Sequence, residues 1–240
     1  ILSGLVGSEM CIRDSAGAMG LYIAGTSVGG LTGRLIPAFM LEVTGWRWAL
    51  ATSAAVSLAL AVATAILLPE QCNFRPKASI RPGAEVRAVA GHLRNPRLVG
   101  LVATAFIAMG VFVSMYNFFG FRAINDFGLA PSLAGLTYVM YLSGTWSSAR
   151  AGSFVSHFGR GRVVLAAAVL MLTGALIGSS GNLIVTLVGL LIFTASFFAL
   201  HSTASGWVGL IAEKDRAEAS SLYVFCYYMG SSLLGAATGQ

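Results

Sequence analysis

Apolar residues along this chain fall in long blocks, at roughly 16–41, 46–68, 97–120, 131–151, 162–181, 183–206 and 218–239. Each block is about as long as a bilayer is thick, since a membrane-crossing helix needs about 20 mostly apolar residues. Apolar side chains lie all round these helices, with no polar face for bulk water. The joints between blocks carry turn chemistry: Thr44-Gly45, Asp126-Phe127-Gly128 before Pro131, Gly159-Arg160-Gly161 and Gly181-Asn182. Lipid leaves backbone polar groups no water to bond, so only helices or closed barrels cross it. The blocks are about twice the ten-residue length of a barrel strand. The expected fold is an all-α polytopic membrane protein with seven transmembrane helices.

Composition agrees. The chain is 56% hydrophobic and 10% charged, with a mean hydropathy of +0.79, whereas soluble domains run near 25% charged. The first fifteen residues are set aside. Leu5–Ser15 reads, residue for residue, like an in-frame translation of a transposase-type sequencing adapter, and the chain starts at Ile1. Residues 1–15 are therefore expected to be an artefact that carries no fold information.

The remaining basic residues set an expected orientation. Arg75, Lys77, Arg81, Arg87, Arg94 and Arg97 lie in or beside the 69–96 connector; Arg150, Arg160 and Arg162 follow the fourth block; Lys214 and Arg216 precede the last. These alternate joints hold eleven basic residues, against Arg47 and Arg122 in the opposite ones. By the positive-inside rule the connector is cytoplasmic. The net charge of +6 is thus an insertion signal, and no nucleic-acid partner is expected. The connector itself is long, basic and proline-bearing (Pro69, Pro76, Pro82, Pro96). Two blocks precede it and five follow, the asymmetry expected at the joint between two helical bundles.

Several stretches resemble a known family. Gly20-Leu21-Tyr22-Ile23-Ala24-Gly25-Thr26-Ser27-Val28-Gly29-Gly30 resembles the glycine-rich fifth-helix motif of drug–proton antiporters in the major facilitator superfamily, with Thr26 where that motif has proline. Gly45-Trp46-Arg47-Trp48 resembles the turn leading into their sixth helix. The joint from Gly152 through Gly159, Arg160, Gly161 and Arg162 resembles the second copy of the superfamily's cytoplasmic loop, with Ser156 and His157 in place of its Asp-Arg pair. Leu142–Ser148, His201–Gly209 and Ala219–Tyr223 resemble the YnfM-type branch, also described as acriflavin-sensitivity or arabinose-efflux-like. The resemblance implies a fragment of the major facilitator fold, its seven spans matching helices five to eleven of twelve. Residues 16–68 would then be the last two helices of the N-terminal half, 69–96 the cytoplasmic central connector and 97–240 a C-terminal half without its last helix. It also implies a multi-pass protein of a bacterial inner membrane, whose other helices belong to the same polypeptide.

Candidate functional residues follow. Gly25, Gly29 and Gly33 recur every four residues beside Gly30, an edge that lets another helix approach, and in the family that edge packs on the eighth helix. Ser231, Gly235 and Gly239 make a similar edge on the last span. Arg34 is an intramembrane charge and hence a functional candidate by default; it closes an outer gate, meets an anionic group, snorkels to headgroups or pairs with Glu42. The resemblance places the cavity against spans seven and ten, which makes Tyr116, Asn117, His201, Ser202 and Ser205 candidates, with Trp146 and Tyr141 weaker ones. Tyrosines and tryptophans near span ends also serve as interfacial anchors, and serines in a span bond to their own backbone. His201 is a candidate proton carrier or a neutral packing residue.

No aspartate or glutamate lies in the middle of a span, so a carboxylate for proton coupling would have to come from elsewhere. Cys72 and Cys226 make no paired spacing, and His92, His157 and His201 are scattered, so neither a metal site nor a cofactor is expected. No glycine-rich phosphate loop ends in Lys-Ser or Lys-Thr, which argues against an ATP-driven pump, and no enzyme chemistry is legible. The expected function is secondary active transport of a small drug-like or sugar-like solute by alternating access, with protons as a candidate coupling ion. The alternative is a complete seven-helix receptor, sensor or scaffold. The expected partners are the bilayer, the solute and the remaining helices of the same polypeptide, with protons as a candidate.

Overall fold

The structure, a computed structural model, describes residues 2–67 and 82–238, without the side chains of residues 2–18, 38, 41, 42, 82, 131 and 132. Helices follow the apolar blocks closely: α1 Leu2–Val43, α2 Trp46–Leu67, α3 Pro82–His92, α4 Pro96–Asn125, α5 Pro131–Gly135, a 3₁₀ turn Leu136–Met140, α6 Tyr141–Phe158, α7 Arg160–Gly178, α8 Leu183–Ile211 and α9 Arg216–Ala237. Of these α2, α4, α7 and α8 are long and apolar enough by length and composition to cross a membrane. The other spans expected from the sequence are helical too. Their mean hydropathy is lowered by the glycines and Arg34 of α1, the small polar residues of α6 and the serines and tyrosines of α9.

Local chemistry explains several ends. Asn95 and Asn182 accept backbone N–H bonds from Arg97 (3.1 Å) and from Ile184 (2.9 Å), capping α4 and α8. Pro96 fills the first helical position of α4, where its missing N–H costs nothing. Gly159 joins α6 to α7 with φ 79° and ψ 153°, a conformation open in practice only to glycine. Arg122 closes the other end of α7, donating to the carbonyls of Gly178 (2.9 Å) and Ser180 (2.8 Å) while its Nε bonds Asp126.

Two differences from the sequence reading stand out. The α1 helix runs back through the segment set aside as an artefact, so its 42 residues extend about 63 Å at 1.5 Å per residue, about twice the hydrocarbon thickness. Pro37 lies inside it and cannot donate to the Gly33 carbonyl. The connector is no plain linker: its second half forms α3, which packs against α9. Residues 68–81 lie outside the described residues.

Lipid tails are as apolar as leucine, so helix association inside a bilayer depends on close packing rather than on escape from water. Here α7 packs on α8, α4 on α9, α1 on α6 and α6 on α8. The first two pairs meet backbone to backbone at glycines. A Cβ on Gly174 would sit 2.6 Å from the Phe193 nitrogen and 2.8 Å from the Gly189 carbonyl oxygen. One on Gly110 would sit 2.8 Å from the Gly230 oxygen, and one on Gly230 would overlap the Phe106 carbonyl. On α9 the tight contact is thus at Gly230. Gly235 approaches only the Val113 side chain at 3.2 Å, and Gly239 lies outside the described residues. Gly230→Ala should cost about 1–3 kcal/mol by overpacking, whereas Gly100→Ala, open on all sides, should gain about 0.5–1 kcal/mol of helix stability. Thermal unfolding of the two variants in detergent checks the opposite signs.

Candidate functional site

The 3₁₀ turn before α6 has a consequence for side-chain direction. With three residues per turn, side chains at i and i+3 eclipse, so Tyr138 and Tyr141 project to the same side, with ring centroids 5.7 Å apart. That side faces α1. Ser27, almost fully buried, donates to the Tyr141 carbonyl at 2.9 Å, and Thr145 donates to the Ser27 hydroxyl at 3.0 Å. Gly20 abuts the Ser148 carbonyl, and Gly30 brings α1 within 3.2 Å of the Tyr141 ring, measured from an added Cβ. The face of α1 turned to the second bundle is therefore Gly20, Ile23, Ala24, Ser27, Gly30 and Leu31.

This corrects the expected packing edge. Gly30 does pack on the helix in the eighth-span position. Gly25, Gly29 and Gly33 do not: nothing among the described residues lies within 4 Å of an added Cβ at any of them. They sit about 120–160° around the helix from Ser27, nearly on its opposite side, and Gly29 and Gly33 open onto a cavity instead.

That cavity has a volume of about 410 Å³. Gly29, Gly33 and Arg34 of α1 are on one side; Phe112, Tyr116 and Asn117 of α4, Tyr141 of α6, Phe197 and Phe198 of α8 and Tyr227 and Tyr228 of α9 are among the residues on the other. Arg34 crosses from α1 to the second bundle. Its guanidinium carbon stands 4.7 Å over the Tyr138 ring and 5.6 Å from the Tyr141 centroid, and Nη1 donates to the Tyr141 hydroxyl. Aromatic faces attract the cation through their quadrupoles. Glu42, the alternative partner in the sequence, has a side chain outside the described set.

Behind Arg34 the wall is a continuous aromatic layer. Phe112 stacks on Phe197 at 3.9 Å between centroids and touches Tyr116 (5.0 Å), Tyr141 (5.7 Å) and Phe198 (5.7 Å). Thr194 spends its proton on the Leu190 carbonyl at 2.7 Å, so the Tyr116 hydroxyl, 2.7 Å from Thr194, is the donor between them. Tyr116 thus offers the cavity its ring rather than its hydroxyl. His201 extends the layer, 4.5 Å from the Tyr227 ring and 6.0 Å from Phe197, with Nδ1 3.0 Å from the Tyr223 hydroxyl.

The structure gathers only some of the sequence candidates. Arg34, Tyr116 and Asn117 line the cavity, and His201 lies next to it. Trp146 is five residues beyond Tyr141 and therefore on another face of α6, 6.3 Å from Phe154, over a separate apolar cleft that Arg162 also borders. Ser202 is buried without a hydrogen-bond partner beside Gly20, and Ser205 donates to the Met19 sulfur at 3.7 Å; both belong to the α1–α8 crossing. Gly159 and Arg160 form the α6–α7 joint, with Gly152 upstream on α6. Tyr138, Phe112, Phe197, Phe198, Tyr227 and Tyr228 were not singled out from the sequence. For Phe112, Phe197 and Tyr227 a signal was available as aromatic pairs four apart: Phe112 with Tyr116, Phe197 with His201, and Tyr223 with Tyr227.

Comparison with known proteins decides the family. The family model described as Major Facilitator Superfamily matches residues 11–239. The chain belongs to that superfamily. Among curated major facilitator relatives, it is 41% identical to the "Inner membrane transport protein YnfM" of Escherichia coli K12 over 92% of this chain and 53% of that one. An "Uncharacterized transporter" of Buchnera aphidicola (Schizaphis graminum) is 35% identical over 90% and 52%. The "Uncharacterized MFS-type transporter YybF" of Bacillus subtilis is 31% identical over 100% and 59%. The chain thus spans about half the length of the curated relatives it matches. No solved structure matches it. As a major facilitator protein it is a multi-pass membrane protein, and the seven-block pattern has its explanation.

Phe112 is the centre of the aromatic layer. Phe112→Ala should destabilise the protein by about 3–5 kcal/mol through lost packing, and thermal unfolding in detergent measures this. Trp146→Ala, on an exposed face, should leave the midpoint within a few degrees.

Proposed function

We propose that this chain forms part of a secondary carrier that moves a small solute across the membrane by alternating access. The observation that carries the reading is the position of the cavity. It lies along the seam where α1, with α2 packed on it, meets the α4–α9 bundle, and residues of both sides line it. A solute held at such a seam is exposed to one side or the other when the bundles rock as rigid bodies. The seam is suited to rocking, because small residues and single hydrogen bonds hold it along α1.

The finer reading is efflux of a drug-like or sugar-like solute from a bacterial cell, with protons as the candidate driving ion. His201, the titratable side chain next to the cavity, is the candidate for sensing them. The protein would lie in the inner membrane with connector 69–96 on the cytoplasmic side, as the eleven basic residues of that side favour. A scaffold would have no need of a lined cavity, and the transporters among the relatives favour a carrier over a receptor.

Proteoliposomes carrying the protein from its complete reading frame should show solute flux above empty liposomes. Gly20→Leu, which forces α1 off the Ser148 carbonyl, should reduce that flux about tenfold or more while the protein still inserts. Undiminished flux would contradict the seam. In a background without native cysteines, an impermeant maleimide should reach Val86→Cys in inverted vesicles and not in right-side-out ones.

A further inference from the structure

The described wall of the cavity carries a cation and no anion. Arg34 is its one formally charged lining residue, and no aspartate or glutamate lines it among the described residues. A guanidinium holds five N–H donors in a planar fork. Tyr141 takes one of them and the rings of Tyr138 and Tyr141 take the face. Aromatic faces offset part of the cost of removing a cation from water, but among the described residues the Tyr141 hydroxyl is the one oxygen that meets the donors at its edge. That edge matches the paired oxygens of a carboxylate, phosphate or sulfonate. An unpaired cation within a span is costly, so an acceptor supplied by a bound molecule would be favoured strongly.

The rest of the wall specifies the other end of that molecule. Phe112, Tyr116, Phe197 and Phe198 present rings toward a space of about 410 Å³ that Asn117, Tyr227 and Tyr228 also line, a size that suits a small organic ligand. Rings favour an apolar, preferably aromatic, body. A cationic solute would be repelled by Arg34 with no carboxylate on this wall to compensate.

We infer that the cavity takes a small organic anion, its acidic group on Arg34 between Tyr138 and Tyr141 and its apolar body on the Phe112–Phe197 layer. The inference rests on reading the cavity as a carrier's solute site and names the solute class. An anionic lipid headgroup offers Arg34 the same chemistry, so the test separates the two.

The protein from its complete reading frame, in phosphatidylcholine nanodiscs, is titrated calorimetrically with 3-phenylpropionate, 3-phenylpropionamide and 3-phenylpropylamine. The carboxylate should bind roughly tenfold or more tightly than the amide, as a charge-assisted pair does over a neutral one, and the amine should bind most weakly. Arg34→Gln should erase the preference for the carboxylate but keep amide affinity within about twofold, and Arg34→Lys should restore only part of it. Equal affinity of the three probes in the unsubstituted protein, a comparison that needs no variant, overturns the proposal. So does a fall of about tenfold in carboxylate affinity on adding phosphatidylglycerol, since a lipid phosphate then holds Arg34. Flux of the amine or amide without carboxylate binding removes the anion and leaves the carrier standing. Carboxylate binding without flux of any probe supports the anion site and removes the carrier.

Discussion

A guanidinium set among apolar helices is costly to leave bare, and the contacts that α1 makes around Arg34 answer that cost. Arg34 is the one charged residue of α1 between Ala16 and Leu41, and its charge is met by tyrosines on another bundle. For those tyrosines to meet it together, the segment before α6 must tighten into a 3₁₀ turn that aligns Tyr138 with Tyr141. The same turn brings the Tyr141 carbonyl to Ser27. The rotation of α1 about its axis follows: Ser27 and Gly30 turn to α6, and Gly29 and Gly33 are left facing the cavity.

The second bundle obeys a different constraint. In lipid, helices gain little from burying apolar surface against one another, so they must approach closely enough for dispersion to act over many atoms. Gly174 with Gly189, and Gly110 with Gly230, allow that approach at two crossings. Pairing α7 with α8 and α4 with α9 leaves the middle of the bundle to larger side chains, and aromatic rings fill it. One edge of this aromatic layer is not covered by the second bundle. It is the edge that Arg34 reaches, and the cavity exists there because rings and a charge meet without filling the space.

Much of the fold was legible because lipid enforces a coarse rule, long apolar blocks separated by turns, that composition cannot hide. The family resemblance was legible in a few glycine-rich and serine-rich stretches. The rotation of α1 was not, since Gly20, Ala24 and Ser27 share nearly the same spacing as Gly25, Gly29 and Gly33, and only the partner helix distinguishes the two edges. Trp146 lies away from this cavity for a related reason. A 3₁₀ turn shifts the phase of the helix that follows, and the cavity side of α6 ends at Tyr141. Tyr116 was found but its chemistry was not, because its hydroxyl is spent on Thr194, a neighbour 78 residues away. Arg34 was legible as a charge in an apolar block; its aromatic partners, from a turn about a hundred residues later, were not.

The central claim is the orientation of α1, with its Ser27 face sealed on α6 and its Gly33 face open to the cavity. Cysteine accessibility tests it most directly, in the protein from its complete reading frame and a background without native cysteines. Gly33→Cys should react with a small polar methanethiosulfonate, and Ser27→Cys should not. Reaction at Ser27→Cys as fast as at Gly33→Cys, or faster, would mean that α1 turns a different face to the solute, and the site built around Arg34 would fall with it.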